Sequence, residues 1–474
     1  MTGSGREYFS YSAKIATLYA ITWFIDLLDS TILNVALPKI AVYFHTTAIY
    51  AEWTIVGFLL AFTSIIAVSG WLGDHFGPKR IFILGQVLYF LSSLGCGFAW
   101  SLPALIGFRI LQGVGGGMVT PVGGALLIRN APKAKWSKYT PRINMISLIA
   151  PAIGPVFAGY VTTIFGWRYL FFLKLPIQLV CLIFSFYWIR EEIHEKKKFD
   201  WPGFGLSFAF LVMFLYSLTI FGEQNRSMDL AIVIFAASLI LFIIFFFYER
   251  KAKNPLIPFS IFRHPLFSVG NIIQSATNII FLGIFFITAF YFQYALNKSI
   301  IATGWILSSV TPGMMLMQPI ISKFYNRIGP TPFVTIGLIL LTVSLLLLCV
   351  VDSSISAWTL ALIIFLEGMA NSLIQSSNVM AIFSELSKTE MSAGSALYNL
   401  FKQTSGAFGV ALSTMLLTVN LILMKIPSIQ AATANELLKP FKITFFILSA
   451  IPFIALLVMI KFYPGKKALV LIKK

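Results

Sequence analysis

The chain is poor in charge. Asp, Glu, Lys and Arg make up only 11% of its 474 residues, against 58% hydrophobic residues. Water-soluble domains carry about 25% charged residues, so a soluble class is excluded. Acids are the scarcer sign, at 17 against 35 basic residues, for a formal charge of +18. The basic residues fall in short loops between apolar runs. They read as topology signals facing anionic lipid headgroups, and no nucleic acid is expected as a partner. Cysteine is also rare. Cys96, Cys181 and Cys349 all lie in apolar runs, form no CxxC pair and imply no disulfide framework. His45, His75, His194 and His264 are scattered without metal-ligand spacing, so no metal site is expected. The glycine-rich runs follow no strand and are not nucleotide loops, and no cofactor is implied. No region gathers a nucleophile and a base, so an enzyme is not expected. No loop is long enough for a soluble domain. The N-terminus lacks a small-residue cleavage site, and the first span reads as retained.

Long apolar segments are what the chain has in abundance. Fourteen can be counted, at 15–37, 50–70, 81–99, 103–127, 142–164, 169–189, 201–221, 230–248, 268–294, 303–322, 333–351, 357–383, 394–424 and 441–463. Each approaches the ~20 residues that a membrane-crossing helix needs. The expected fold is an all-α membrane protein of 14 transmembrane helices. With the N-terminus inside, and residues near a span end counted with the adjoining side, the inner loops and tails hold 25 of the 35 Lys and Arg, the outer loops 8, and Arg109 and Lys402 are left deeper within spans. That bias puts both termini in the cytoplasm, in the cell's inner (plasma) membrane.

A faint internal repeat divides the chain. Gly70-Trp-Leu-Gly-Asp74-His75-Phe-Gly77-Pro follows span two, and Ser322-Lys-Phe-Tyr-Asn326-Arg327-Ile-Gly329-Pro follows span ten, 252 residues later. Gly113 and Gly368 keep nearly that spacing, as do Gly154 and Gly406. Two six-helix bundles, 1–199 and 267–474, with two inserted helices in 200–266, account for all three pairs. Parallel six-span repeats are one layout of secondary transporters.

The polar residues inside spans point to function. Asp26 and Asp29 lie in the middle of the first apolar segment. An ionised carboxylate at the bilayer centre costs at least ~2.5–3.5 kcal/mol, and protonation is the inexpensive way to neutralise it. At 100° per residue, Thr22, Asp26, Asp29, Ser30 and Leu33 share a stripe roughly 80° wide. Both acids are candidate proton carriers; the alternative is a structural acid held within the bundle. Arg109 shares a face with Gln112, Gly113, Gly116, Thr120 and Gly123. Counting from the outer ends at ~1.5 Å per residue puts Arg109 about 9 Å deep and Asp29 about 12 Å deep, so the two are within reach. A basic partner would favour release of the proton; a static salt bridge is the plainer reading. In the second half, Glu367 and Lys402 both come out near the midplane, so a pair is feasible. Asn399, Lys402, Gln403, Gly406 and Ser413 share a face and read as cavity lining, with Thr22, Asn34, Gln112, Lys174 and Glu367 as further candidates for a substrate cavity. Tyr398 and Phe401 are weaker ones. Asp74, with Lys79 and Arg80, reads as a gate loop together with Gly70 and Gly77. Pro151, Gly154, Pro155 and Gly159 make a tight, bendable helix.

These motifs resemble those of the major facilitator superfamily, and within it the fourteen-spanner drug–proton antiporter branch of multidrug efflux type. Leu28-Asp29-Ser-Thr-Ile-Leu-Asn34-Val-Ala-Leu-Pro38 is similar to the first-helix motif of that branch, and Gly70 to Arg80 to the superfamily's loop motif. Arg109-Ile-Leu-Gln112-Gly113 to Pro121 is similar to the fourth-helix motif, Ala150-Pro151-Ala152-Ile-Gly154-Pro155-Val-Phe-Ala-Gly159 to the antiporter helix, and Asn399-Leu-Phe-Lys402-Gln403-Thr-Ser-Gly406 to a C-half motif. His75 stands where the family usually has arginine, Pro78 replaces a common basic residue, Lys174 a neutral one, and Asp26 is an extra acid. The resemblance implies export of small organic compounds, drug-like or metabolite, coupled to protons. A dedicated metabolite or siderophore exporter, or a symporter of the same fold, is the alternative. The expected partners are protons, a small-molecule substrate and the lipid bilayer, and a monomer is compatible with all of this. Asp26, Asp29 and Glu367 suit organic cations, whereas Arg109, Lys174 and Lys402 favour zwitterions or anions, so the substrate's charge stays open in the sequence.

Overall fold

The computed structural model describes residues 3–130, 149–150, 153–191, 200–221, 228–252, 259–352, 354–386, 391–429 and 431–463. All regular structure among them is helical. The helices are α1 (Gly3–Tyr43), α2 (Ala48–Phe76), α3 (Pro78–Gly97), α4 (Leu102–Asn130), α5 (Ile153–Ile164), α6 (Tyr169–Phe172), α7 (Leu175–Trp188), α8 (Trp201–Phe221) and α9 (Met228–Lys251). They continue as α10 (Pro265–Phe290), α11 (Ile300–Ser308), α12 (Val310–Ile328), α13 (Pro330–Val350), α14 (Ala357–Ser384), α15 (Met391–Leu423) and α16 (Ala434–Phe462).

Twelve spans among the described residues are long and apolar enough to cross a membrane, where fourteen segments were expected. The second and fifth expected segments appear as shorter apolar stretches, Tyr50–Ile66 within α2 and Ile153–Ile164. The helix α2 as a whole runs 29 residues, and the two residues just before Ile153 lie outside the described ones. Helices solve the backbone problem in lipid, because every N–H and C=O is bonded within the segment. Apolar side chains therefore remain on the outside: Ile232, Val233, Ile240, Ile243 and Phe247 along α9 are all exposed.

Glycines let the helices of each half approach backbone to backbone. A Cβ at Gly117 of α4 would lie 2.6 Å from the Phe62 carbonyl of α2, and one at Gly115 2.7 Å from the Gly85 carbonyl of α3. The same pattern recurs between α12, α13 and α14, where Gly313 meets the Phe365 carbonyl, Gly368 the Val310 carbonyl and Gly337 the Ala370 carbonyl. The repeat seen in sequence also recurs as a turn. Gly77 (φ 99°) and Gly329 (φ 75°) occupy the left-handed region that favours glycine, and Pro78 and Pro330 then open α3 and α13.

The halves touch through α2 and α15 and, at the face opposite those two turns, through further contacts. Gly304 of α11 packs on the Pro155 carbonyl of α5, and a Cβ at Gly159 would lie 3.0 Å from the Ile300 carbonyl. A π-helical segment, Tyr291–Ala295, extends α10 toward α1. From it Gln293 Nε2 donates to the Val35 carbonyl at 3.2 Å, and the Tyr294 hydroxyl donates to that of Pro38 at 3.4 Å. The helices α8 and α9 pack on each other through Phe210 and Phe242 (5.0 Å), and α8 reaches both halves through Tyr216 on Trp53 (6.2 Å) and Phe214 on Phe408 (5.6 Å).

Candidate functional site

The contact expected from the depths of Asp29 and Arg109 is present. Arg109 Nη1 lies 2.6 Å from Asp29 Oδ2, and both side chains are 1% exposed. Arg109 is fixed on every side. Its Nε donates to the Thr54 carbonyl at 2.9 Å, Nη1 also donates to Gln112 Oε1 at 2.7 Å, and the guanidinium lies over the Phe58 ring at 4.2 Å. Gln112 in turn donates to Ser93 at 2.8 Å. Charge-assisted bonds of this kind are the strong ones in a protein interior.

Lys174 makes a second ion pair on the same carboxylate, through Asp29 Oδ1. It is 4% exposed, with its ammonium over the Phe171 ring at 5.1 Å. Local sequence explains how a lysine comes to lie there. The sixth expected span is broken: α6 ends at Phe172, α7 starts at Leu175 with Pro176 in its first turn, and Lys174 is the cap between them. Tyr89 adds a hydroxyl bond to Asp29 Oδ2 at 3.2 Å. One acid is thus shared by two cations. Ionised throughout, this cluster carries one positive charge in excess. Asp26, one turn along α1, lies beside it and takes a hydrogen bond from the Thr120 hydroxyl of α4.

A cavity of about 240 Å³ opens between the halves at mid-helix depth. Asp26, Trp23, Leu27 and Thr31 of α1 and Phe58, Leu59 and Phe62 of α2 line one side. Asn278, Phe281, Leu282 and Phe285 of α10, Met314, Gln375, and Asn399, Lys402 and Gln403 of α15 line the other. Asp26 also borders a smaller pocket with Thr22, Gln86, Tyr89 and Gln178, and Asn34 one with Asp29 and Arg109.

The structure therefore sorts the candidates. Asp26, Asn399, Lys402 and Gln403 reach the central cavity; Thr22 and Asn34 border the smaller pockets beside it. Lys174 and Gln112 do not line the central cavity, because both are consumed by the Asp29–Arg109 cluster. Glu367 is 3% exposed and away from the cavity lining, and no ion pair joins it to Lys402 among the described residues. Tyr398 and Phe401 pack in an apolar cluster against Phe383 and Phe262 instead of facing the cavity. In the gate loop, Arg80 pairs with Glu191 at 2.9 Å on an exposed surface, and Lys79 is half-buried. Gly70 lies within α2, and Pro151 and the side chain of Asp74 lie outside the described residues. Gly154 meets Thr31 of α1, and Pro155 and Gly159 meet α11. Sequence reasoning missed the aromatic wall, Trp23, Phe58, Phe62, Phe281 and Phe285, and the amide of Asn278. The spacing of Asn271, Gln274 and Asn278 along one apolar span was a signal for the last of these.

A sequence model of the Major Facilitator Superfamily matches residues 19–291 and 270–471. The chain is 30% identical over 409 residues to the "Putative multidrug resistance protein MdtD" of Salmonella typhimurium, covering 84% of this chain and 85% of that protein. It is 26% identical over 406 residues to the "Probable transport protein HsrA" of Haemophilus influenzae, covering 85% and 88%. Among solved structures, it matches a bacterial homolog of the human lysosomal transporter Spinster, inward-facing and unoccupied, with a TM-score of 0.66 at 13% identity over 98% of this chain and 97% of that one. A POT family transporter in complex with 5-aminolevulinic acid matches with a TM-score of 0.68 at 14% identity over 96% of each chain. At such identities these two show the fold alone.

Proposed function

The chain belongs to the major facilitator superfamily, and from that premise we propose that it exports small organic compounds, drug-like or metabolite, in exchange for protons. Membership makes it a multi-pass membrane transporter rather than an enzyme. In our reading it has fourteen spans, with the halves 1–199 and 267–474 rocking about the central cavity and 200–266 inserted between them. Both termini face the cytoplasm, across the cell's inner (plasma) membrane. The name of its Salmonella relative supports efflux of drug-like compounds.

The observation that carries the proton-coupled reading is Asp29, buried under two cations beside the cavity. Ionised, it neutralises Arg109 and Lys174 in part and ties α1, α4 and the α6–α7 break together. Protonated, it releases both cations, and the three elements lose their common anchor. A proton thus acts on helix packing, which is what alternating access needs. Asp26 at the cavity wall gives the proton its way in. Asp74, Lys79 and Arg80, with Gly70 and Gly77, serve as the gate loop, and the antiporter motif of Pro151, Gly154, Pro155 and Gly159 serves the opposite face.

The test is efflux from vesicles with an imposed pH gradient, using a panel of aromatic cations, anions and neutral compounds. Asp29→Asn is expected to abolish gradient-driven export of whichever compounds the wild type moves, with binding retained. Undiminished pH-driven export by the variant would sink the role assigned to Asp29.

A further inference from the structure

The ionisable residues inside the spans fall into separate places. Arg109 and Lys174 are spent on Asp29, and Glu367 is buried away from the cavity. Among the described residues, only Asp26 and Lys402 are charged and line the central cavity. They stand on different halves, Asp26 on α1 and Lys402 on α15, and neither has an ion-pair partner within 4 Å among the described residues. Their hydrogen bonds differ. Asp26 Oδ2 accepts from Thr120, while the Lys402 carbonyl accepts from the Asn278 side chain and, at 2.9 Å, from the Ser405 hydroxyl. The same cavity is walled by aromatic rings, among them Trp23, Phe58, Phe281 and Phe285. The volume, about 240 Å³, is just below the ~300–1,000 Å³ of typical small-molecule sites.

We propose that the substrate is a zwitterionic aromatic compound, its ammonium against Asp26, its carboxylate against Lys402 and its rings between them. This rests on the transport reading above and specifies its substrate. A purely cationic compound would pair with Asp26 and leave Lys402 desolvated without a partner; an anion would do the reverse. A neutral compound would strip water from both charges and give nothing back. Discrimination of this kind comes as much from the unpaired charge as from the paired one. A zwitterion also bridges the halves, so its binding bears directly on their relative position.

Equilibrium dialysis tests this, with the full chain in lipid nanodiscs and four forms of one body: 4-phenylphenylalanine, its methyl ester, its N-acetyl derivative and the doubly blocked compound. The wild type is expected to bind the free amino acid about tenfold more tightly than the ester or the N-acetyl form, the worth of roughly one partly buried charged contact. Lys402→Gln should erase the advantage over the ester, and Asp26→Asn the advantage over the N-acetyl form. Equal binding of the four forms, an ester preference in the wild type, or binding of none would overturn the proposal. Should a variant fail to fold, as read by circular dichroism, the wild-type order alone decides. No gradient is present, so this result and gradient-driven export by wild type and Asp29→Asn fail or succeed separately.

Discussion

Three acids that look alike in sequence have three different environments. Asp29 accepts from Arg109, Lys174 and Tyr89, Asp26 accepts from Thr120 at a cavity wall, and Glu367 has a buried oxygen, Oε1, without a hydrogen-bond partner among the described residues. The helices packed around Glu367 offer no counter-charge: α10, α11 and α13 carry no Asp, Glu, Lys or Arg, and α12 has only Lys323 and Arg327 at its far end. A buried polar group left unpaired costs roughly 1–3 kcal/mol. Glu367→Met, similar in length and apolar, is therefore expected to raise the thermal unfolding midpoint in detergent; a lowered midpoint would mean that Glu367 is stabilised by something other than its described neighbours. Lys174→Met should act in the opposite direction. Asp29 keeps Arg109, so the loss is expected at about 1–3 kcal/mol rather than the ~3–5 of a fully orphaned buried charge. The Asp29–Arg109 contact was legible because both sit on unbroken helices, where depth follows from counting residues. Lys174 was not, because it sits at the junction of α6 and α7, and residue counting alone does not say that its side chain turns to α1.

At the scale of elements, α4 shows what its glycines are for. A Cβ at Gly113 would overlap the Phe58 carbonyl, whereas one at Gly107, less than two turns earlier, would meet nothing within 4 Å. The first glycine permits a helix approach; the second pays conformational entropy with no packing return. Gly107→Ala is expected to stabilise by about 0.5–1 kcal/mol. Gly113→Val should force α2 and α4 apart, lower the unfolding midpoint and disturb Arg109, whose Nε bonds the Thr54 carbonyl of α2. A thermal-shift comparison of the two variants checks both signs, and similar shifts for the two would refute the assignment. Composition and glycine spacing made the helices legible. Which glycines touch backbone was not, since that depends on the rotation of each helix against its neighbour.

At the scale of the molecule, the Gly-Pro repeat at 77–78 and 329–330 was legible as two related turns, and the matching glycine contacts of α2–α4 and α12–α14 follow it. How the halves meet was not, because nothing in periodicity says which surfaces face each other at a given moment of transport. The contacts of α5 with α11, and of α1 with Gln293 and Tyr294, join the halves at one face beneath an outer cavity of about 470 Å³ lined by Pro38, Thr163 and Lys298. If transport works by alternating access, this joined face must open in every cycle. A Cβ at position 159 would lie 3.2 Å from the Ile301 Cα, close enough for cysteines at the two positions to reach disulfide geometry. In a background with Cys96, Cys181 and Cys349 replaced, the pair Gly159→Cys and Ile301→Cys is expected to cross-link on oxidation. Transport into or out of vesicles should then fall to the level of protein-free vesicles and return with reductant, while each single cysteine variant is indifferent to oxidant. Transport that persists in fully cross-linked protein would mean that the α5–α11 contact need not part, and the substrate path would have to lie elsewhere.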